Sequence, residues 1–319
     1  MRRITLLFIV NLLQAEVLFT DNTISAGIAF SGMSEGVCVF DYNNDGMDDI
    51  LFTTRSGGTI HLYKNSGNMN FIDVSIESNI GQQMEARTAV AGDYDNDGDL
   101  DLFIGATLGS SKFFQNNGNG TFQDITNLVG INIDDQVRGC SWFDYNQDGY
   151  LDLYVGLLYE PNLLYKNNGD GTFIDIAQNV GATGPVGAGI IMGLGAIDYD
   201  RDGDQDLYIT QDNYNGNILL KNESGSFFTD VSYSTQTNLE VMGMGIAFGD
   251  INKDGFFDFY TTNLNENSLL INSPEGVFSD ISFTSGTQDL PGSMGWGTFF
   301  FDANNDGLVA VSYTHLRAH

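Results

Sequence analysis

"DYDNDGDLDLFIGA", residues 93–106, places Asp93, Asp95, Asp97, Asp99 and Asp101 within nine positions and follows them at once with an apolar run. Carboxylates ~4 Å apart repel by about 4 kcal/mol per pair at an effective dielectric near 20. A compact loop of this kind beside a segment that demands burial is therefore disfavoured unless a cation sits within it.

The stretch is one of six. "DYNNDGMDD" begins at Asp41, "DYDNDGDLD" at Asp93, "DYNQDGYLD" at Asp144, "DYDRDGDQD" at Asp198, "DINKDGFFD" at Asp250 and "DANNDGLVA" at Asp302, in steps of 52, 51, 54, 52 and 52 residues. A second marker, F-x-D, keeps the same rhythm at Phe19, Phe71, Phe122, Phe173, Phe228 and Phe278. Each unit reads as four short strands: a Gly-rich run such as "MGMGIAF", the acidic loop, a run such as "LDLYVG" that is apolar on both parities, a third strand like "NLLYKN", a turn such as "NNGDGT", and then "FIDIA". Almost no stretch carries helical periodicity. A ~50-residue unit of four strands predicts an all-β fold, a β-propeller of four-stranded blades. Units start near 33, 86, 137, 190, 242 and 294, within a propeller domain over 16–309. Small residues in the first strand suit innermost strands that crowd around an axis. Residues 19–24 end a unit that has no beginning and are expected to be a closing strand for the last blade.

Written D-x-[DN]-x-D-G-x-x-D, the loop offers side-chain oxygens at positions 1, 3, 5 and 9, a carbonyl at 7, and a glycine at 6 for the sharp turn. Loop one supplies Asp41, Asn43, Asp45, the Met47 carbonyl and Asp49; loop two supplies Asp93, Asp95, Asp97, the Asp99 carbonyl and Asp101. Loop three has Asp144, Asn146, Asp148, Tyr150 and Asp152; loop four has Asp198, Asp200, Asp202, Asp204 and Asp206. Loop five has Asp250, Asn252, Asp254, Phe256 and Asp258; loop six has Asp302, Asn304, Asp306 and Leu308, with Ala310 in the ninth place. An all-oxygen, mostly anionic set suits Ca²⁺, whereas Mg²⁺ wants a stricter octahedron and zinc wants His or Cys. Five or six calcium sites are expected. An EF-hand is excluded because position 12 is Phe52, Ile104, Val155, Ile209 or Thr261 rather than Glu. The side chains of Asp99 and Asp204, at position 7, are expected to face solvent.

The formal net charge of −30 argues against nucleic acid and anionic membranes as partners. "MRRITLLFIVNLLQA" reads as a signal peptide over residues 1–15, implying a secreted or cell-surface protein without stable membrane insertion. Residues 310–319, which include "VSYTHLRAH", resemble translated sequencing-adapter read-through and are expected to lie outside the native fold. The two cysteines, Cys38 and Cys140, are read as unbridged core residues.

These loops and their spacing resemble the FG-GAP/VCBS repeat family, the integrin-α-type β-propeller. "GMGIAFGDINKDGFFDFYTTN" and "GWGTFFFDANNDG" are most similar to its secreted branch, which includes cartilage acidic protein and bacterial proteins with a C-terminal ASPIC/UnbV domain. The resemblance covers residues 19–309. It implies Ca²⁺ between the first two strands of each blade, seven blades when complete, and adhesion to an extracellular protein or glycan. Six loops in a truncated chain are compatible with seven blades.

No catalytic motif is present: G-x-S-x-G, H-E-x-x-H and Walker sequences are absent. The expected function is therefore a ligand-binding module rather than an enzyme, with Arg55, Tyr159, Tyr214 and Asn215 as candidate contact residues. The alternatives are a purely structural calcium-stiffened surface protein, or part of a polysaccharide lyase or hydrolase using Arg87, Arg138, Tyr145 and Tyr214. His61 lies in a strand and reads as structural.

Overall fold

The computed structural model describes residues 19–30, 32–55, 57–184, 189–288 and 292–317. The stretch read as a leader lies outside them. The first sheet comprises β1 (Val37–Phe40), β2 (Asp49–Phe52), β3 (His61–Asn65) and β4 (Phe71–Asp73). The second comprises β5 (Glu85–Gly92), β6 (Asp101–Leu108), β7 (Lys112–Asn116) and β8 (Phe122–Asp124), followed by α1 (Thr126–Val129). The third has β9 (Val137–Phe143), β10 (Asp152–Leu157), β11 (Leu163–Asn167) and β12 (Phe173–Asp175), then α2 (Ala177–Val180). The fourth has β13 (Ile190–Ile197), β14 (Asp206–Asp212), β15 (Ile218–Asn222) and β16 (Phe228–Asp230), then α3 (Ser232–Thr235). The fifth has β17 (Gly243–Gly249), β18 (Asp258–Asn263), β19 (Ser268–Ile271) and β20 (Ser279–Asp280), then α4 (Ser282–Ser285); β21 (Ser293–Phe301) and β22 (Ala310–Arg317) form the sixth.

All pairings are antiparallel meanders, and the first strands β1, β5, β9, β13, β17 and β21 pack side by side in that order. This is a β-propeller. Its core lies between blades. Phe40, Leu51 and Leu62 of the first sheet meet Leu102, Ile104 and Phe114 of the second, and the same sandwiching recurs at the next three interfaces. The second strands are covered on both faces, and every residue of β10 and β18 is buried. Each large apolar side chain so buried contributes about 1.5–3 kcal/mol.

The crowding expected of the first strands is met by backbone. A Cβ on Gly245 would lie 2.3 Å from the Trp296 carbonyl oxygen of the next blade, and one on Gly36 would lie 2.2 Å from that of Arg87.

Two features depart from the sequence reading. Residues 19–24 form no strand; 23–27 make a turn, and the two-stranded sixth sheet offers no third strand for them to pair with, although Phe19 sits 6.2 Å from Phe301. The stretch from Ala310, read as a tail foreign to the native chain, pairs as β22 with β21; backbone N–H groups need acceptors whatever side chains follow. Finally, a helical turn follows each of β8, β12, β16 and β20. The F-x-D aspartate starts it: Asp124 Oδ1 accepts from the Thr126 N–H at 3.1 Å, and Asp175, Asp230 and Asp280 do the same two residues on.

Candidate metal centres

Each acidic loop joins the end of a blade's first strand to the start of its second, so all six gather at one end of the propeller. The first aspartate shapes the turn. Asp41 Oδ1 accepts from the Asp45 N–H at 3.1 Å and Oδ2 from the Gly46 N–H at 2.7 Å. The same pair forms in loops two, three, five and six. Gly98, at position 6, has φ +93 with nothing within 4 Å of an added Cβ, so conformation rather than room requires glycine there.

The ninth aspartates, Asp49, Asp101, Asp152, Asp206 and Asp258, are fully buried. One oxygen of each accepts the N–H of the loop's second residue, as Asp152 does from Tyr145 at 3.0 Å. The other accepts the N–H of the asparagine ending the third strand: Asn65, Asn116, Asn167, Asn222 or Asn272, at 2.7–2.9 Å. Burial, reinforced by Asp95 and Asp97, pushes Asp101 up to about 8 against these N–H groups. Burial likewise raises Asp152 to about 7 and Asp206 to about 8, and lifts Asp49 and Asp258 above the usual carboxylate range.

Carboxylate oxygens of Asp93, Asp95 and Asp101 lie within 4.8 Å of one another, as do those of Asp198, Asp200 and Asp206. That separation suits oxygens on opposite sides of an ion bound at about 2.3–2.6 Å. Asp95 Oδ1, Asp198 Oδ1 and Asp200 Oδ1 are buried without a hydrogen-bond partner. An orphaned carboxylate oxygen costs free energy unless something positive meets it. The residues therefore fit a hard divalent cation. Lysines of the third strands offset only part of the charge: Lys64 lies 3.2 Å from Asp45, Lys166 3.8 Å from Asp148, and Lys221 reaches Asp200 and lies 2.8 Å from Asp202. Loop six keeps the turn and the Asp302, Asn304 and Asp306 bonds but has Ala310 at the ninth place.

The motif did not signal two sets of side chains. The third-strand asparagines also reach back one blade: Asn116 Nδ2 donates to the Tyr42 carbonyl, Asn167 to Tyr94, Asn222 to Tyr145 and Asn272 to Tyr199, at 2.7–2.8 Å. Their periodic "N" after the third strand was visible in the sequence, but its distant partner was not. Position 4, written x, reaches forward. Asn44 Nδ2 donates to Asp99 at 2.7 Å, and Gln147 Nε2 to Asp204 at 2.8 Å. These contacts correct the solvent-facing reading of position 7. Asp204 is only 8% exposed and also accepts from the Ser224 N–H at 3.1 Å.

The scattered polar candidates do not form one constellation. Tyr145 is buried in loop three, and Tyr214 is exposed in the β14–β15 connection. Arg55, Tyr159, Tyr214 and Asn215 all fall in connections between second and third strands, at the end opposite the acidic loops. Arg87 and Arg138 do come together, at that same end. His61 Nδ1 lies 2.9 Å from Asp73 Oδ2 on adjacent strands of the first blade. Cys38 and Cys140 are both free thiols, as read from the sequence.

The family profile described as FG-GAP-like repeat matches residues 41–104, 93–155, 158–209 and 198–261. Cartilage acidic protein 1 of Xenopus tropicalis is 25% identical over 269 residues, which cover 76% of this chain and 40% of that protein. Its Mus musculus counterpart is 25% identical over 198 residues, 58% of this chain and 30% of the relative. The chain thus spans less than half the length of these relatives. Among solved structures, an Agrocybe aegerita lectin described as recognising non-reducing terminal N-acetylglucosamine aligns at a TM-score of 0.53 with 18% identity, covering 86% of this chain and 73% of the lectin. The Dos1 propeller aligns at 0.50 with 11% identity, covering 91% and 73%. Both likenesses speak for the fold alone.

Proposed function

The chain belongs to the FG-GAP-like repeat family, and from that premise we propose that it is an extracellular, calcium-binding β-propeller that acts as a non-catalytic adhesion or ligand-binding module for a protein or glycan. The observation that carries the calcium reading is the buried ninth aspartate beside orphaned carboxylate oxygens, with Asp95 and Asp101 as its plainest instance. Asp93, Asp95, Asp97, the Asp99 carbonyl and Asp101 would hold the ion in loop two, with the corresponding positions holding it in loops one, three, four and five. Loop six, with Ala310 in place of a ninth carboxylate, would bind more weakly.

Bound calcium stiffens one end of each blade and leaves the opposite connections free to differ, as binding loops on rigid scaffolds do. The name of the cartilage relatives and the leader read over residues 1–15 support an extracellular setting. No helix among the described residues is long and apolar enough to cross a membrane. Calcium titration followed by calorimetry tests the metal reading, with about five tight sites expected; a stoichiometry near zero refutes it. Protein and glycan arrays probed with and without chelator test the binding reading, and the absence of any calcium-dependent ligand counts against it.

A further inference from the structure

At the end of the propeller opposite the acidic loops, the inner strands share a defect with a purpose. In β5, Ala86 pairs with Ala106 and Thr88 with Gly105, which leaves Arg87 as a bulge. In β9, Val137 pairs with Leu157 and Gly139 with Gly156, which leaves Arg138. The bulge of β13 falls at Met192, and the irregularity in β21 spans Trp296. A bulge bends its strand and re-aims the extra side chain. Here Arg87, Arg138 and Trp296 line one cavity of about 780 Å³ together with Glu35, Arg55 and Glu85. A second cavity of about 300 Å³ shares Glu35, Arg87, Arg138 and Trp296 and adds Met192 and Met244.

The polar groups of this cavity have more donors than acceptors. Glu35 is divided between two guanidinium groups, with Arg55 Nη1 at 3.3 Å and Arg87 Nη1 at 4.0 Å. Arg138 has no carboxylate within ion-pair distance among the described residues. It donates Nε to the Ile191 carbonyl at 3.3 Å and Nη2 to the Met192 sulfur at 2.8 Å. A guanidinium has five N–H donors, and a thioether is a weak acceptor. Trp296 lines the same cavities with its ring, while its Nε1 is buried behind them without a partner. The chain as a whole has 42 acidic residues against 12 basic ones, yet three arginines meet here against two glutamates. Burial and the neighbouring Arg87 lower Arg138 to about 10, the signature of a desolvated cation short of a counter-charge.

We propose that this cavity binds a small organic carboxylate of the uronic-acid class, its carboxylate forked by Arg138 and Arg87. A planar two-oxygen anion matches the guanidinium fork, and cavities of this size accept a mono- or disaccharide. Met192, Met244 and the indole supply an apolar wall for the sugar body. The proposal rests on the ligand-binding reading and gives it a site.

The test is calorimetric titration of the calcium-loaded protein with sodium glucuronate, with glucose and sulfate as separate arms. Glucuronate is expected to bind and to weaken with added salt, while glucose does not bind. Arg138→Met and Arg87→Met, each of which keeps most of the volume and removes one guanidinium, are each checked for an unchanged melting temperature; a tenfold or greater loss is expected for each. Should Arg138→Met misfold, Arg87→Met carries the test alone. Absence of glucuronate binding, preference for sulfate, or full affinity in the folded variants overturns the inference. An array hit that survives Arg138→Met leaves the general binding reading standing without this site.

Discussion

Replacing Asn116 by alanine isolates the force that joins one blade to the next. The side chain is 2% exposed, and its Nδ2 donates to the Tyr42 carbonyl of the preceding loop at 2.8 Å and to the Leu100 carbonyl of its own at 3.1 Å. Its Oδ1 accepts from the Gly118 N–H at 3.1 Å. Each such bond contributes about 1 kcal/mol net, and a carbonyl left buried and unpaired costs about 1–3 kcal/mol. The expected loss is therefore about 3 kcal/mol. Asn65 is a built-in control. It makes the same bonds to Asp48 and Gly67 at 3.0 Å, has no cross-blade bond among the described residues, and is only partly buried. Asn65→Ala should cost about 1 kcal/mol, because water reaches the groups it abandons. Equilibrium urea denaturation of both variants in millimolar calcium, with m-values unchanged, measures the difference. Equal losses would show that the cross-blade bond contributes nothing and that the asparagine serves its own loop only.

Chelation should lower the melting temperature sharply and calcium should restore it, since each site at a hundredfold above its Kd adds about 2.7 kcal/mol; an unchanged melt in EGTA refutes the metal reading. Asp101→Asn should remove most calcium affinity from loop two and lower metal-free stability by about 1–3 kcal/mol, because one oxygen that accepts the Tyr94 or Asn116 N–H becomes a donor. A variant that titrates like wild type sinks this assignment. Without calcium, stability should fall between about pH 4 and pH 8. Asp101, Asp152 and Asp206, raised to about 8, 7 and 8, keep protons in the fold that the unfolded chain has released above its ordinary carboxylate pKa. That contribution is whole below about pH 4 and gone above the folded values, so melting temperatures in chelator that rise over this window contradict the burial argument. Finally, Asp101→Asn in calcium should speed amide hydrogen exchange in loop one as well as loop two, and an effect confined to loop two argues against coupling between blades.

The blades were legible because two periodic markers interlock. Acidic loops and F-x-D pairs fix where a first strand ends and a fourth begins, and the doubly apolar second strand, such as Leu153–Leu157, announces burial on both faces. The acidic positions that converge in loops two and four were legible for the same reason. What the sequence hid was contact at a distance of one repeat. Position 4 varies as Asn44, Asn96, Gln147, Arg201 and Lys253, and looks free to vary. In the structure, Asn96 donates to the Gly149 carbonyl at 3.0 Å and Arg201 lies 5.3 Å from the Phe256 ring centroid. Different chemistries serve one purpose there, so no single letter marks it. The F-x-D aspartate marked a boundary without revealing that it starts a helical turn, because a four-residue turn is too short to show a period. Residues 19–24 failed as a strand because a strand is defined by its neighbour, and the sixth sheet has only two strands.

These contacts chain the acidic loops together. In loop two, Asp101 Oδ1 accepts the Asn116 N–H at 2.8 Å, and the side chain of that same Asn116 holds the Tyr42 carbonyl of loop one. The Tyr42 N–H in turn donates to Asp49, the ninth residue of loop one, at 3.1 Å. One asparagine thus stands between the buried carboxylates of successive blades. Position 4 closes the link in the other direction, from Asn44 to Asp99. An ion held by Asp101 would therefore order Asn116, and through it the tyrosine that orients Asp49. Hydrophobic packing between blades is non-directional and tolerates sliding. The asparagine and position 4 bonds are directional, and they lie at the end where the acidic loops converge. Register from blade to blade is accordingly set at that end, which leaves the opposite end, with its bulged Arg87 and Arg138, free to vary.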